Sequence, residues 1–340
     1  MNYRSLGATD LRLSDVGFGC GTTAALMVKG AEKERLKVIG NALEAGITYF
    51  DTAPVYGDGQ SETHLGQDLR QLGAHPVVGT KVALGPADLD DVYGAVIRSV
   101  DASLGRLQMD GVDILHLHNR LAEHRSAESG VAVGPLLSID DLLGPRGVLE
   151  AFRTLQRQGK TRYFGICAFG GEMPAVKRAI DSASFHSVLA YYNLLNPSAG
   201  QPKHPATPGP DYGQVIDYAA DRGVGVVALR VLAAGALAID DKTQPASDGR
   251  GRTGQQFEQD SARARAIAGL AEELGASPVT LAIQFALRND KLSTVLVGIS
   301  EQTHLDQALA ATSAPPLPPD IEARLEELYN TDFGLQTAAP

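Results

Sequence analysis

Eight short apolar runs, each followed by a stretch of helical periodicity, recur along this chain and limit what it can fold into. They are "DVGFGCG" (15–21), "ITYF" (47–50), "PVVGTKV" (76–82), "VDILHLH" (112–118), "TRYFGICAF" (161–169), "SVLAYY" (187–192), "GVGVVAL" (223–229) and "STVLVGI" (293–299). Helical segments are expected near 32–45, 61–70, 89–104, 148–158, 172–182, 212–222, 262–274 and 302–311, from apolar residues at three- and four-residue steps. Ser61 reads as the cap of the second of these. Near-continuous apolar strands bounded by turns mean a parallel sheet covered by helices. Eight such units in roughly 300 residues fit a closed (β/α)8 TIM barrel better than two doubly wound domains. "YRSLGATDLRLS" alternates around Gly7–Asp10 and reads as an N-terminal β-hairpin within about 1–15. No Pro/Ser-rich linker divides the chain, so residues 1–340 are expected to form one domain, with 312–340 as a C-terminal extension.

The formal net charge of −10 and pI near 5.3 argue against a nucleic-acid or anionic-membrane surface. Cys20 and Cys167, the two cysteines, lie in apolar surroundings, which suits reduced thiols and a cytoplasmic location. Arg4, Asp10, Arg12 and Asp15 break up any secretory leader in the first twenty residues. No apolar run approaches the ~18 residues of a membrane span. Eight histidines and two cysteines show no metal-ligand spacing.

Three stretches break the rhythm: 119–146, the Pro- and Gly-rich 196–211, and the polar 240–256. Long loops inside a barrel are expected at the C-terminal face, as lids or mobile segments where sites are built.

The ends of the second, third and fourth strands supply Asp51, Lys81 and His118, and the loop after Asp51 supplies Tyr56. In a barrel these converge on one rim. A free phenol titrates near ~10, too high for easy proton exchange at neutral pH. A lysine ammonium beside it lowers that value, and an aspartate holds the lysine. A histidine across the pocket can donate to a substrate oxygen. Together they make a proton donor for a carbonyl that receives hydride. His116 shares a strand face with His118, and register favours His118 as the site histidine. "GFGCGTTA" imitates a dinucleotide βαβ fingerprint, but lacks the third glycine and leaves Tyr56, Lys81 and His118 unexplained.

The segments "AGITYFDTAPVYGDGQSETHLGQDL" (45–69), "VVGTKV" (77–82), "VDILHLH" (112–118), "YFGICAF" (163–169), "GVGVVALRVLAAGAL" (223–237) and "STVLVGISEQTHLDQAL" (293–309) together resemble the aldo-keto reductase superfamily, nearly end to end. The resemblance implies a (β/α)8 barrel that binds a nicotinamide dinucleotide, with Asp51, Tyr56, Lys81 and His118 as a catalytic tetrad and Tyr56 as general acid. It also implies cofactor contacts from Gly21, Asp51, Cys167, Ala168, Arg230, Leu232, Gly235, Gly298, Ser300, Glu301 and His304. Several of these positions depart from the family pattern. Cys167 and Ala168 stand where Ser-Asn often grips the carboxamide, and Leu189 stands where Gln often helps. Arg230 replaces the Ser of Ser-Pro-Leu. It is open to a pyrophosphate, a substrate carboxylate or an acidic loop partner.

Members that prefer NADP often place cations near Gly298 and His304. Here Glu301 lies between them, so the expectation leans to NAD, unless Lys242, Arg250 or Arg252 reaches a 2′-phosphate. Two classes of function stand. One is an oxidoreductase of aldehydes, ketones or sugar hemiacetals, near the aldose (galactose-type) dehydrogenases. The other is a cofactor-binding redox sensor or accessory protein with little turnover. The substrate, the reaction's direction and the oligomeric state stay open.

Overall fold

The computed structural model describes residues 1–126, 134–238 and 254–335. Strands β1 (Tyr3–Ser5) and β2 (Arg12–Ser14) form an antiparallel hairpin. Strands β3 (Val16–Gly19), β4 (Tyr49–Asp51), β5 (Val77–Val82) and β6 (Val112–Leu117) follow. The short parallel pair β7 (Leu121–Ala122) and β8 (Leu137–Ser138) sits in the connection after β6. Strands β9 (Thr161–Cys167), β10 (Ser187–Tyr191), β11 (Gly225–Leu229) and β12 (Thr294–Gly298) complete the set. The order β3-β4-β5-β6-β9-β10-β11-β12 closes on itself, every neighbour parallel, with Val295 opposite Val16 at the seam. All eight apolar runs are barrel strands, and the doubly wound alternative is excluded.

One helix shows how local sequence marks an element's ends and its buried face. In Val92–Leu107, Asp91 caps the start by accepting from the Gly94 N–H at 3.1 Å. Val92, Val96, Val100, Leu104 and Leu107 recur at three- and four-residue steps and bury one stripe against the sheet. Gln108 ends the helix in the left-handed region. Burying each of those side chains contributes roughly 1.5–3 kcal/mol.

Inside the barrel the strands alternate, and one register line runs Lys81, His116, Gly165, Ser187, Gly225. Leu6, Leu11 and Leu13 of the hairpin join Tyr49, Ile114, Leu189 and Leu296 in an interior cluster, so the hairpin plugs the N-terminal end. Arg4 fixes the plug. It donates to Asp15 Oδ1 at 2.7 Å and to the carbonyls of Leu287, Asn289 and Leu292.

Gly165 makes room for two polar neighbours on that line. A β-carbon there would lie 2.2 Å from the Ser187 carbonyl oxygen and 2.5 Å from its hydroxyl. Gly165→Ala should therefore cost about 1–3 kcal/mol, as overpacking does. The expected result is a lower denaturant midpoint with an unchanged slope. An unchanged midpoint would show that β9 and β10 can part without penalty.

Several sequence expectations need correction. Ser61 is not a cap. The helix Gln60–Leu72 starts one residue earlier behind Gly59. The buried Ser61 hydroxyl instead donates to the Cys20 carbonyl at 2.9 Å and lies 2.8 Å from Thr52 Oγ1. Helices Pro278–Leu287 and Ile321–Asn330 were not anticipated. The second secures the C-terminal extension, where Asp332 accepts two hydrogen bonds from buried Arg263, at 2.7 and 2.9 Å.

By chain order all three long connections leave C-terminal strand ends, but two are more built than lids would be. After β6, Ser138 and Asp141 form a capping box, and Arg125 pairs with Asp141. In 196–211, Asn196 donates to the Pro210 carbonyl, and Ser198, Ala199 and Thr207 are buried. Lys242, Arg250 and Arg252 lie outside the described residues, as does most of the third connection. Among the described residues no single helix is long and apolar enough to cross a membrane.

Candidate active site

Parallel closure brings the C-terminal ends of β4, β5 and β6 side by side. Asp51 and Lys81 both point inward there, and both are almost fully buried. Lys81 Nζ donates to Asp51 Oδ2 at 2.5 Å and to the Thr52 carbonyl at 2.7 Å. Burial works against the Lys81 ammonium, but Asp51 and Tyr56 outweigh it and raise its pKa overall. The ammonium also lies 5.0 Å from the centre of the Tyr56 ring. The four expected residues are therefore gathered: the Tyr56 and His118 rings meet edge to face with centroids 6.0 Å apart.

The electrostatics differ from the expectation in one respect. Burial pushes the Tyr56 phenol up to about 12, even though Lys81 beside it pulls the other way. At neutral pH the phenol therefore keeps its proton. His118 is pushed well below its ordinary value by burial, then by the Lys81 cation and His116, so its ring is neutral. Its Nδ1 is buried without a hydrogen-bond partner among the described residues. A buried orphan N–H is rarer than a buried orphan lone pair, which favours the tautomer protonated on Nε2. His116 has the bland role: it is fully buried, with Nε2 2.9 Å from Ser187 Oγ.

Tyr49 belongs to the site and was missed. Its buried hydroxyl donates to Asp51 Oδ1 at 3.1 Å, so Tyr49 and Lys81 each hold one oxygen of the same carboxylate. Gly79 on β5 permits this, because a β-carbon there would sit 2.6 Å from the Tyr49 hydroxyl. The signal was present: Tyr49 and Asp51 are two apart on a strand and share a face. Phe169 and Tyr191 were also missed as walls. Phe169 meets His118 edge-on at 6.2 Å, and Tyr191 stacks on Phe169 at 4.4 Å and 5°.

The residues expected to hold a dinucleotide fall into three groups around this rim. Gly21 follows β3, with open space at its missing β-carbon, and the next residue, Thr22, has a buried hydroxyl without a partner. Arg230, Leu232 and Gly235 follow β11 in a turn where Arg230 and Gly235 have φ values of 55° and 98°. Gly298, Ser300, Glu301 and His304 span the end of β12 and the start of the helix Gln302–Ser313.

These features fit a dinucleotide: a helix start offers N–H groups to phosphate, and an orphan hydroxyl awaits a partner. The other positions fit less well. Cys167 and Leu189 are sealed in the barrel interior, and Ala168 turns its methyl to the helix side. Asp51 has both oxygens engaged by the protein, so it belongs with Lys81 and Tyr49 rather than with a ribose.

Comparison with known proteins agrees with this geometry. The profile of the Aldo/keto reductase family matches residues 15–330. An L-galactose dehydrogenase of Arabidopsis thaliana is 29% identical over 320 residues, covering 92% of this chain and 88% of its own length. A putative voltage-gated potassium channel subunit beta of Schizosaccharomyces pombe is 25% identical, over 96% and 93% respectively. The solved structure of an aldo-keto reductase from Bacillus halodurans, in its holo form, superposes with a TM-score of 0.70. It is 23% identical and covers 100% of this chain and 97% of its own.

Proposed function

This chain belongs to the aldo/keto reductase family, and from that premise we propose that it is an NAD(P)-dependent oxidoreductase interconverting a carbonyl and an alcohol, with Tyr56 as the proton donor. The carrying observation is the buried Lys81–Asp51 pair set against a phenol that keeps its proton at neutral pH. Bound at the rim, a nicotinamide dinucleotide supplies or accepts hydride. The protein's part is positional and protic. His118 Nε2–H and the Tyr56 hydroxyl converge on the carbonyl oxygen, and Tyr56 gives up its proton as negative charge develops there. The Lys81 ammonium then faces the phenolate and stabilises it, while Asp51, gripped by Tyr49, keeps the ammonium in place. Phe169 and Tyr191 form an apolar wall that keeps water from the reacting carbon.

Substrates of this class are aldehydes, ketones and sugar hemiacetals, and the similarity to an L-galactose dehydrogenase supports including aldoses in the first screen. That screen is absorbance at 340 nm with aldoses and aldehydes against both dinucleotides. Hydride transfer to or from at least one carbonyl class is expected. The similarity to a channel beta subunit supports a second reading, a dinucleotide-binding redox sensor. Dinucleotide binding without turnover across the whole screen would favour it.

For the cofactor the proposal is NAD. Glu301 is exposed at the start of the helix Gln302–Ser313 and accepts from Thr303 Oγ1 at 2.5 Å. A carboxylate there suits ribose hydroxyls and opposes a 2′-phosphate. His304 turns Nδ1 back to the Ser300 N–H at 3.4 Å and offers no fixed cation. NADH is expected to bind more tightly than NADPH when both dissociation constants are read by fluorescence on one preparation. NADPH tighter by tenfold would overturn this.

A further inference from the structure

Arg230 differs from most of the other partly or fully buried arginines. Arg4, Arg35, Arg106 and Arg263 each meet a carboxylate, Asp15, Asp68, Glu62 and Asp332 in turn. Arg230 is half-buried and meets none among the described residues. Its guanidinium instead lies 4.8 Å from the centre of the Tyr191 ring. Tyr191 stacks on Phe169, Phe169 touches His118, and His118 touches Tyr56. One aromatic wall thus connects the proton donor to a cation that meets no counter-charge among the described residues.

The backbone is bent to present that cation. Arg230 adopts φ 55°, a left-handed conformation that residues with a side chain rarely take up. Its carbonyl accepts from Asn193 Nδ2 at 3.0 Å and from the Ala233 N–H at 2.7 Å, which hold the bend. Asn193 is itself locked, its Oδ1 accepting from the Leu195 and Asn196 N–H groups at 3.0 Å. A guanidinium pre-positioned in this way is matched by a planar pair of anionic oxygens.

We propose that Arg230 is a specificity residue that binds a carboxylate on the substrate, so that the preferred substrate is a carbonyl compound carrying an acidic group on the side away from the reacting carbon. This rests on the carbonyl–alcohol reading above and narrows it. The face of Arg230 against Tyr191 favours substrate over cofactor, because Tyr191 belongs to the wall that reaches Tyr56.

The test compares matched probes on the dinucleotide-loaded protein: 4-carboxybenzaldehyde against 4-methylbenzaldehyde, and D-galacturonate against D-galactose. The ratio of kcat/KM, charged over neutral, should fall by about 10–100-fold in Arg230→Met, the range for a hydrogen-bonded charge pair. Arg230→Lys should restore part of that ratio, since it keeps the charge without the fork. An unchanged ratio overturns the proposal. So does a loss confined to the NADH or NADPH dissociation constant, which would assign the anion to the cofactor's pyrophosphate.

A calorimetric arm needs no turnover. 4-Methylbenzoate should bind the loaded wild type more tightly than 4-methylbenzamide, and the preference should vanish in Arg230→Met. If that preference holds while no aldehyde reacts, the carboxylate site stands and the oxidoreductase reading fails. If the preference is absent in the wild type, Arg230 does not bind carboxylates.

Discussion

Tyr56→Phe is expected to lower turnover by roughly 10²–10⁴-fold, the range for losing a general acid. Phenylalanine keeps the ring that meets His118 edge-on and lies beside the Lys81 ammonium, so the pocket's shape survives. What goes is a hydroxyl whose proton is held at neutral pH and whose conjugate base faces a fixed cation. The dissociation constant of the dinucleotide should barely move. Steady-state rates and fluorescence titration on the same preparation separate the two effects. Near-normal turnover in this variant would remove Tyr56 from the mechanism and leave His118 as the donor.

Lys81→Met should act on both rate and stability. Lys81 lowers the Tyr56 phenol's pKa, so its removal must raise the pKa that governs alcohol oxidation. Lys81 also helps to hold His118 low, after burial itself, so the histidine's titration should move up toward its ordinary value as well. Both limbs of the pH–rate profile therefore shift to higher pH. A profile that keeps its shape and position would make Lys81 a structural residue only.

Stability should fall by about 3–5 kcal/mol, the cost of leaving one partner of a buried pair alone. Asp51 would retain only the Tyr49 hydroxyl. Adding Asp51→Asn removes the unpaired charge and should recover much of the stability but none of the rate. Parallel recovery of both would mean that the rate loss was misfolding.

The sequence was informative where burial writes itself as a pattern. Strands covered on both faces are apolar throughout, which is why all eight runs could be read. The helix Pro278–Leu287, "PVTLAIQFAL", is buried over most of its circumference, with only Thr280 and Gln284 polar, and so shows little helical period. Ser277 capping Thr280 N–H, with proline in the first turn, was the signal that could have found it. Asp51, Lys81 and His118 were legible because strand ends converge in a barrel. Two features were not legible. The direction of the Tyr56 shift depends on how tightly neighbours exclude water, and no motif carries that. The partner of Arg230 depends on which residues β10 and β11 bring together, and strand spacing alone left three options open.

The seam of the barrel bears on how the chain reaches its native state. Val16 pairs with Val295, and Arg4 binds carbonyls at Leu287, Asn289 and Leu292, so the first strands are completed by residues made much later in the chain. At ~5–20 residues per second on the ribosome, those partners arrive about 15–60 s apart. Throughout that interval β3 presents an unpaired edge, an open template for another chain. Slow loop closure over such a separation leaves the nascent protein exposed to misassembly that the finished barrel, having no edge, escapes.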